Sequence, residues 1–254
     1  MTLSTSQLRR GEQGFTLVEL AIVMIIIGLL IGGILKGQEL INNAKVSSAV
    51  TQIKGLEAAA NTFKEKYAAL PGDILAPNTR LPNCGAAVCN VAGNGDSQID
   101  ATDLGAAQAT PVAGTNETQI FAHLAAANLL TGDVQPTVAW SLQTSYPNFT
   151  LGGKVRLGYV VGGQTGAIAA IPVNAHYIAV GNGGGAMGAS ELPGGDLANI
   201  DRKLDDGMPN TGSVMAVGNA AANTCTILGT GVVTDTYDEA ANSRTCGIFV
   251  RIFN

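Results

Sequence analysis

The sequence predicts an α+β protein, with one long N-terminal helix followed by a globular domain built on short strands. Three observations carry this. An apolar run from Phe15 to Leu35 contains a single charged residue, Glu19. Beyond it, apolar side chains recur every three or four residues as far as Tyr67, the period of a helix with one buried face. After Pro71 the composition turns to Gly, Ala, Asn and Thr, with short β-branched runs bounded by glycine or asparagine.

The chain has 254 residues, room for one membrane segment and one or two small domains. Hydrophobic residues make up 46% and charged residues 13%, so a core can form beneath a sparsely charged surface. Such a surface, rich in small residues, suits a subunit that packs against copies of itself. The net charge of −5 gives no reason to expect nucleic-acid binding by the whole chain.

Residues 1–14 are polar and carry Arg9 and Arg10. Residues 15–35 form the apolar run, which as a helix spans about 30 Å, the thickness of a bilayer's hydrocarbon core. Basic residues ahead of such a segment keep the N-terminus in the cytoplasm and place the rest of the chain outside the inner membrane. A secretory signal peptide has a shorter apolar region and a small-residue cleavage site after it. Neither feature is present before Lys36. Glu19 is the anomaly, because an acid in lipid costs about 2.5 to 3.5 kcal/mol at the bilayer centre and less towards the interface. No cation lies within one turn of it in the uncut chain. A cut between Gly14 and Phe15 creates one, the new α-amino group of Phe15.

Gly14-Phe15-Thr16-Leu17-Val18-Glu19, behind a short basic leader and ahead of an apolar run, resembles the prepilin signature of type IV pilins and type II secretion pseudopilins. The resemblance implies that a prepilin peptidase cuts after Gly14, that Phe15 becomes an N-methylated first residue, and that Glu19 docks each subunit into a helical filament. It implies a lollipop shape, in which the first half of the helix is membrane anchor or filament core and the second half packs on a domain with an antiparallel sheet. The implied partners are copies of the chain, other pilins or pseudopilins, the peptidase, an inner-membrane assembly platform and the bilayer. The implied location is the bacterial inner membrane, single-pass with the C-terminal domain in the periplasm, and after assembly a periplasmic or extracellular filament. The chain departs from the family in one respect. Many members carry a proline after the apolar core, near Lys36; here Gly28, Gly32 and Gly33 stand instead, which predicts a soft stretch of helix.

Residues 36–70 read as an amphipathic extension. Val46, Val50, Ile53, Leu56, Ala60, Phe63 and Tyr67 form the stripe, with Lys45, Gln52, Lys54, Asn61 and Lys64 between them. A coiled-coil dimer is the alternative for this half, although its charges follow no clear e/g scheme. The helix, starting near Phe15, is expected to end near Ala69, where Leu70-Pro71-Gly72 opposes continuation. Residues 71–254 form one extracytoplasmic domain. Strands are expected at Val155–Val161, Ile168–Val173, Tyr177–Val180, Val214–Val217 and Ile248–Phe253. A helix is expected over Glu117–Leu130, with His123 packed or solvated rather than catalytic.

The cysteines, 4 in all, fall into two local groups, Cys84 with Cys89 and Cys225 with Cys246. An even count outside the cytoplasm reads as disulfides; three pairings are open, and sequence order favours neighbours. A zinc site is the competing idea, but no histidine is near either group in sequence. The C-terminal pair resembles the disulfide-bounded region near the end of many type IV pilins, which shapes a surface for subunit contact or adhesion.

Asn94, Asp96, Gln98 through its carbonyl, Asp100 and Asp103 stand at the third, fifth, seventh, ninth and twelfth places of a loop that resembles those of EF-hands and dockerins, which makes calcium the one candidate cofactor. Ala92 at the first place and Ser97 in place of the turn glycine depart from that pattern. The competing reading is an Asn/Gly turn before an Asp-capped helix. A second acidic group, Asp201, Asp205 and Asp206 ahead of Gly207, reads as the end of a helix whose acids cap, pair with Arg202 or Lys203, or hold an ion, with the structural roles favoured over ligation.

No nucleophile elbow, zincin motif or phosphate loop is present, and only 2 histidines occur, so an enzyme is not expected. The runner-up to a filament subunit is a membrane-anchored extracytoplasmic adhesion or binding module that never polymerises.

Overall fold

The computed structural model describes residues 15–85, 87–99, 119–130, 146–161, 173–181, 192–217, 225–227, 236–240 and 246–253. The chain divides into two units, Met1–Ala44 and Lys45–Asn254.

Helix α1 runs from Leu17 to Tyr67, 51 residues, which at 1.5 Å per residue is about 75 Å long. The soft stretch expected at Gly28, Gly32 and Gly33 does not appear: α1 is unbroken through all three. Glycine lowers helix propensity but keeps its N–H, so the hydrogen-bond ladder continues where a proline would interrupt it. The helix ends two residues before the expected position. Ala68 adopts a left-handed backbone, φ 49°, ahead of the turn at Pro71-Gly72.

In the second unit, α1 buries Val46, Ala49, Ile53, Leu56, Ala59, Ala60 and Phe63, which is the expected stripe widened by alanines; Val50 and Tyr67 pack at its margin. This face joins the core of its own domain, so the stripe is accounted for without a coiled-coil partner.

Strands β1 (Lys154–Val160), β2 (Ala175–Gly181), β3 (Val214–Val217) and β6 (Gly247–Phe253) form one antiparallel sheet in the order β1-β2-β6-β3. Val155, Leu157, Ile178, Val180, Ile248, Val250, Val214 and Ala216 share one face and belong to the same core as the α1 stripe. The alternation that fixes strand register thus aims every second residue at the helix. A register shift beside His176 re-aims the start of β2 against the end of β6.

Both sheet edges are occupied by the chain's own loops. On β1, Val155 N–H donates to the Pro147 carbonyl (3.0 Å) and Tyr159 N–H to that of Ile99 (2.8 Å). On β3, Ala216 N–H donates to the Pro209 carbonyl (2.8 Å) and Val214 N–H to the Asp205 carboxylate (3.3 Å). These contacts blunt the edges against strand addition by another chain.

Two further strands, β4 (Thr226–Ile227) and β5 (Thr236–Tyr237), pair as a separate ribbon. Three more short helices complete the described residues: α2 (Pro77–Arg80), α3 (Ile120–Ala126) and α4 (Gly194–Leu204), with a 3-10 turn at Ala87–Asn90. Helix α3 stops four residues before the expected Leu130, because Asn128 takes a left-handed backbone (φ 57°) and Leu129 N–H turns back to the Leu124 carbonyl. The expected start of α3 at Glu117 and the strand expected over Ile168–Val173, except Val173 itself, lie outside the described residues.

Candidate functional site

The N-terminal site centres on Thr16 and Glu19. Thr16 precedes the first helical residue, and its hydroxyl accepts from Glu19 N–H at 3.3 Å. Glu19 reaches back, its carboxylate accepting from Thr16 N–H at 2.8 Å and from the Thr16 hydroxyl at 2.9 Å. This is a reciprocal capping box, T-x-x-E, which satisfies two backbone N–H groups that a helix start leaves orphaned. Glu19 therefore has a partner within the chain, a hydrogen-bonding one, where charge alone pointed to a cation. The acid also suits its place electrostatically, in the first turn, where the helix dipole is positive.

The helix beyond it is apolar on every side. Phe15, Leu17, Met24, Ile25, Leu29 and Leu35 are among many large side chains left exposed. Among the described residues this is one helix long and apolar enough to cross a membrane, and its apolar stretch is unburied. The run ends at a polar boundary, where the Lys36 ammonium donates to the Glu39 carboxylate at 2.7 Å. Gly14 lies outside the described residues.

The suspected calcium loop has a centre that the sequence did not reveal. Asp73, nearly buried, accepts from Gly95 N–H (2.6 Å) and Ser97 N–H (2.8 Å). The loop can wrap so closely because residue 93 is glycine: a Cβ there would lie 2.5 Å from the Asp73 backbone. Asn94 and Asp96 accept from the N–H groups two residues on, and Ser97 holds the left-handed backbone (φ 65°) usually given to glycine. Ile99 is buried. Asp100 and Asp103 lie outside the described residues.

The structure joins Cys84 to Cys89 and Cys225 to Cys246, with Cα separations of 5.2 and 5.5 Å. It also corrects the view that no histidine is near. His123, remote in sequence, sits against the first disulfide. Gly72 N–H donates to its Nδ1 at 2.9 Å, so the proton is on Nε2, which donates to the Cys89 carbonyl at 2.8 Å. The ring stacks on Phe63, with centroids 6.3 Å apart. Burial pushes its pKa down to about 4, against a smaller upward pull from the Cys89 carbonyl. Both nitrogens are engaged and both thiols are oxidised, so the trio is a structural junction.

The second acidic group is likewise engaged. Asp205 accepts from Ser213 and Val214 N–H, and Asp206 accepts from Met208 N–H (2.8 Å) and the Thr211 hydroxyl (2.6 Å). Asp201 is fully buried and accepts from the Tyr237 hydroxyl at 2.7 Å and Gly207 N–H at 3.3 Å. The expected pairing of these acids with Arg202 is not made; Arg202 pairs with Glu239.

Residues 9–35 match the family model of the prokaryotic N-terminal methylation motif, the type IV pilin and pseudopilin signature. The match covers the basic leader residues and the apolar run and does not extend into the globular domain. No curated protein and no solved structure matches the chain.

Proposed function

We propose that this type IV pilin-like precursor is a filament subunit, of a type IV pilus or a type II secretion pseudopilus. The observation that carries the reading is the Gly14-Phe15 junction, with a charged acid held one turn into an otherwise apolar, unburied helix. The precursor sits in the inner membrane with its C-terminal domain in the periplasm. Prepilin peptidase removes residues 1–14 and methylates Phe15. An assembly platform then extracts subunits, and the apolar helices exchange lipid for one another.

Two features of the described residues favour assembly through α1. The sheet edges are covered, which disfavours growth by strand addition. A Cβ at Gly28, Gly32, Gly33 or Gly37 would meet nothing, so no packing within the chain accounts for these glycines. In a bundle of apolar helices, small residues let backbones approach. Enzymatic chemistry has no support in the described geometry, because the buried histidines His123 and His176 and the buried acids Asp73 and Asp201 are tied into structural hydrogen bonds.

The test of processing is N-terminal sequencing of the membrane-extracted protein. The sequence is expected to begin at Phe15, N-methylated, and Gly14→Leu is expected to leave the leader in place. Intact Met1 in cells with an active peptidase overturns the reading.

Calcium is the second reading, for the loop that holds Asn94, Asp96, Gln98, Asp100 and Asp103. It is favoured by Ser97, whose left-handed backbone supplies the turn that the loop pattern assigns to glycine. Asp73 adds a carboxylate against a loop whose own first place is Ala92. Terbium luminescence of the full chain in detergent is expected to rise and to be competed by calcium. Asp96→Asn is expected to weaken binding at least tenfold. Absence of any calcium-competable signal removes the reading and leaves Asp73 as the structural anchor of the turn.

A further inference from the structure

The Cys225–Cys246 segment is fastened to α4 in three ways. Its backbone at Asp238 lies so close to Gly194 that a side chain there would collide with the Asp238 carbonyl. On the surface, Glu239 pairs with Arg202. Beneath the surface, the Tyr237 hydroxyl donates to the buried Asp201 carboxyl at 2.7 Å.

The third fastening is of a different kind, because it puts an acid where water cannot reach it. Asp201 has no exposed surface, and Tyr237 is nearly as well covered. Among the described residues, the groups that face the acid are few. Tyr237 of β5 and Gly207 N–H favour its charge, while Asp206 and Asp205 of the following loop oppose it. Arg202, next to it on α4, is engaged with Glu239. Burial outweighs the two hydrogen bonds, and the carboxyl pKa is pushed up to about 6.

We propose that the Asp201–Tyr237 contact is a pH-responsive latch that holds the 236–240 ribbon to α4 in acid and loosens it at neutral pH. The linkage has a definite sign. The docked state binds the proton more tightly than an open state in which the carboxyl meets water. Docking is therefore fully favoured below the ordinary carboxyl range and weakens as pH rises through about 6. The protonated carboxyl keeps both partners, since each oxygen retains a lone pair. When the acid ionises, local opening of the ribbon is the route by which it regains hydration. The consequence reaches beyond filament formation. The face of the disulfide-bounded segment becomes an acid-stabilised surface in any setting where this domain is exposed.

Hydrogen exchange on the full chain in detergent tests this. After correction for intrinsic rates, protection of the 236–240 amides is expected to fall about tenfold between pH 5 and pH 7.5, the part of the full linkage factor that lies above pH 5. The Tyr177–Val180 amides of β2 are expected to stay level. Asp201→Asn is expected to flatten the profile. Tyr237→Phe keeps the acid and is expected to move the transition to higher pH, because a bond that favours the ionised form has gone. A level wild-type profile overturns the latch. So does an equal change in β2, which would report the whole fold, or a wild-type pH profile in Asp201→Asn. If Asp201→Asn does not fold, an unmoved transition in Tyr237→Phe overturns it.

Discussion

Glu19→Ala is expected to abolish filaments while leaving a normal amount of processed monomer in the membrane. On the proposed reading, cleavage would leave the Phe15 amine at membrane depth, and a bundle of such helices would bury that amine against its neighbours. Removing one partner of a buried ion pair costs about 3 to 5 kcal/mol, enough to lower each association step more than a hundredfold. The capping box adds a second effect that alanine cannot separate from the first. Losing the carboxylate frees Thr16 N–H and weakens the helix start. Glu19→Gln separates the two. Glutamine can still reach back to Thr16 N–H, but it carries no charge for the amine. Filament yield is expected to fail in both variants. Sheared filament recovered from Glu19→Gln at wild-type level would assign the residue to capping alone and remove the docking role. Loss of the monomer itself from either variant would make Glu19 a folding residue.

The helical half of this protein was legible because its signals are periodic or compositional. The stripe from Val46 to Phe63 named its own buried face, and the strand runs at Val214 and Ile248 fell where the strands lie. What escaped was local hydrogen bonding and contact across the chain. T-x-x-E at residues 16–19 is a written capping box, but an acid inside an apolar run reads equally as a charge in need of a cation. The end of α3 turned on Asn128 adopting a left-handed backbone, which asparagine permits but does not dictate. Asp73 and His123 could not be placed from sequence. Each owes its role to a loop or disulfide far along the chain, and single-sequence spacing carries no record of that proximity. Asp73 did leave a faint signal, an acid directly after Leu70-Pro71-Gly72, where a turn exposes backbone groups that need partners.

His123→Phe is expected to destabilise the globular domain more than any surface change. Phenylalanine preserves much of the volume and the stack on Phe63, so little cavity forms. It cannot accept from Gly72 N–H or donate to the Cys89 carbonyl, and both groups stay buried without a partner. Each orphan costs about 1 to 3 kcal/mol, so a loss of about 2 to 6 kcal/mol is expected in urea unfolding of the full chain at pH 7. The variant also changes the pH profile, and the sign is specific. His123 has a folded pKa of about 4, below the ordinary histidine value. The stability it contributes is present above about pH 6.5 and is lost as pH falls towards 4, about 1 to 2 kcal/mol of it between pH 7 and pH 5. Asp201, with a folded pKa of about 6, acts in the opposite direction over the same interval and gains stability as pH falls. In the native chain the two buried groups largely offset each other, and the unfolding midpoint is expected to change little between pH 7 and pH 5. Without His123 the Asp201 contribution is no longer offset by it, so His123→Phe is expected to be more stable at pH 5 than at pH 7. A variant within about 1 kcal/mol of the native chain at pH 7 would show that the junction of Gly72, Cys89 and His123 does not hold the domain together. A variant whose midpoint falls with acid would show that the two buried groups do not oppose each other as their surroundings require.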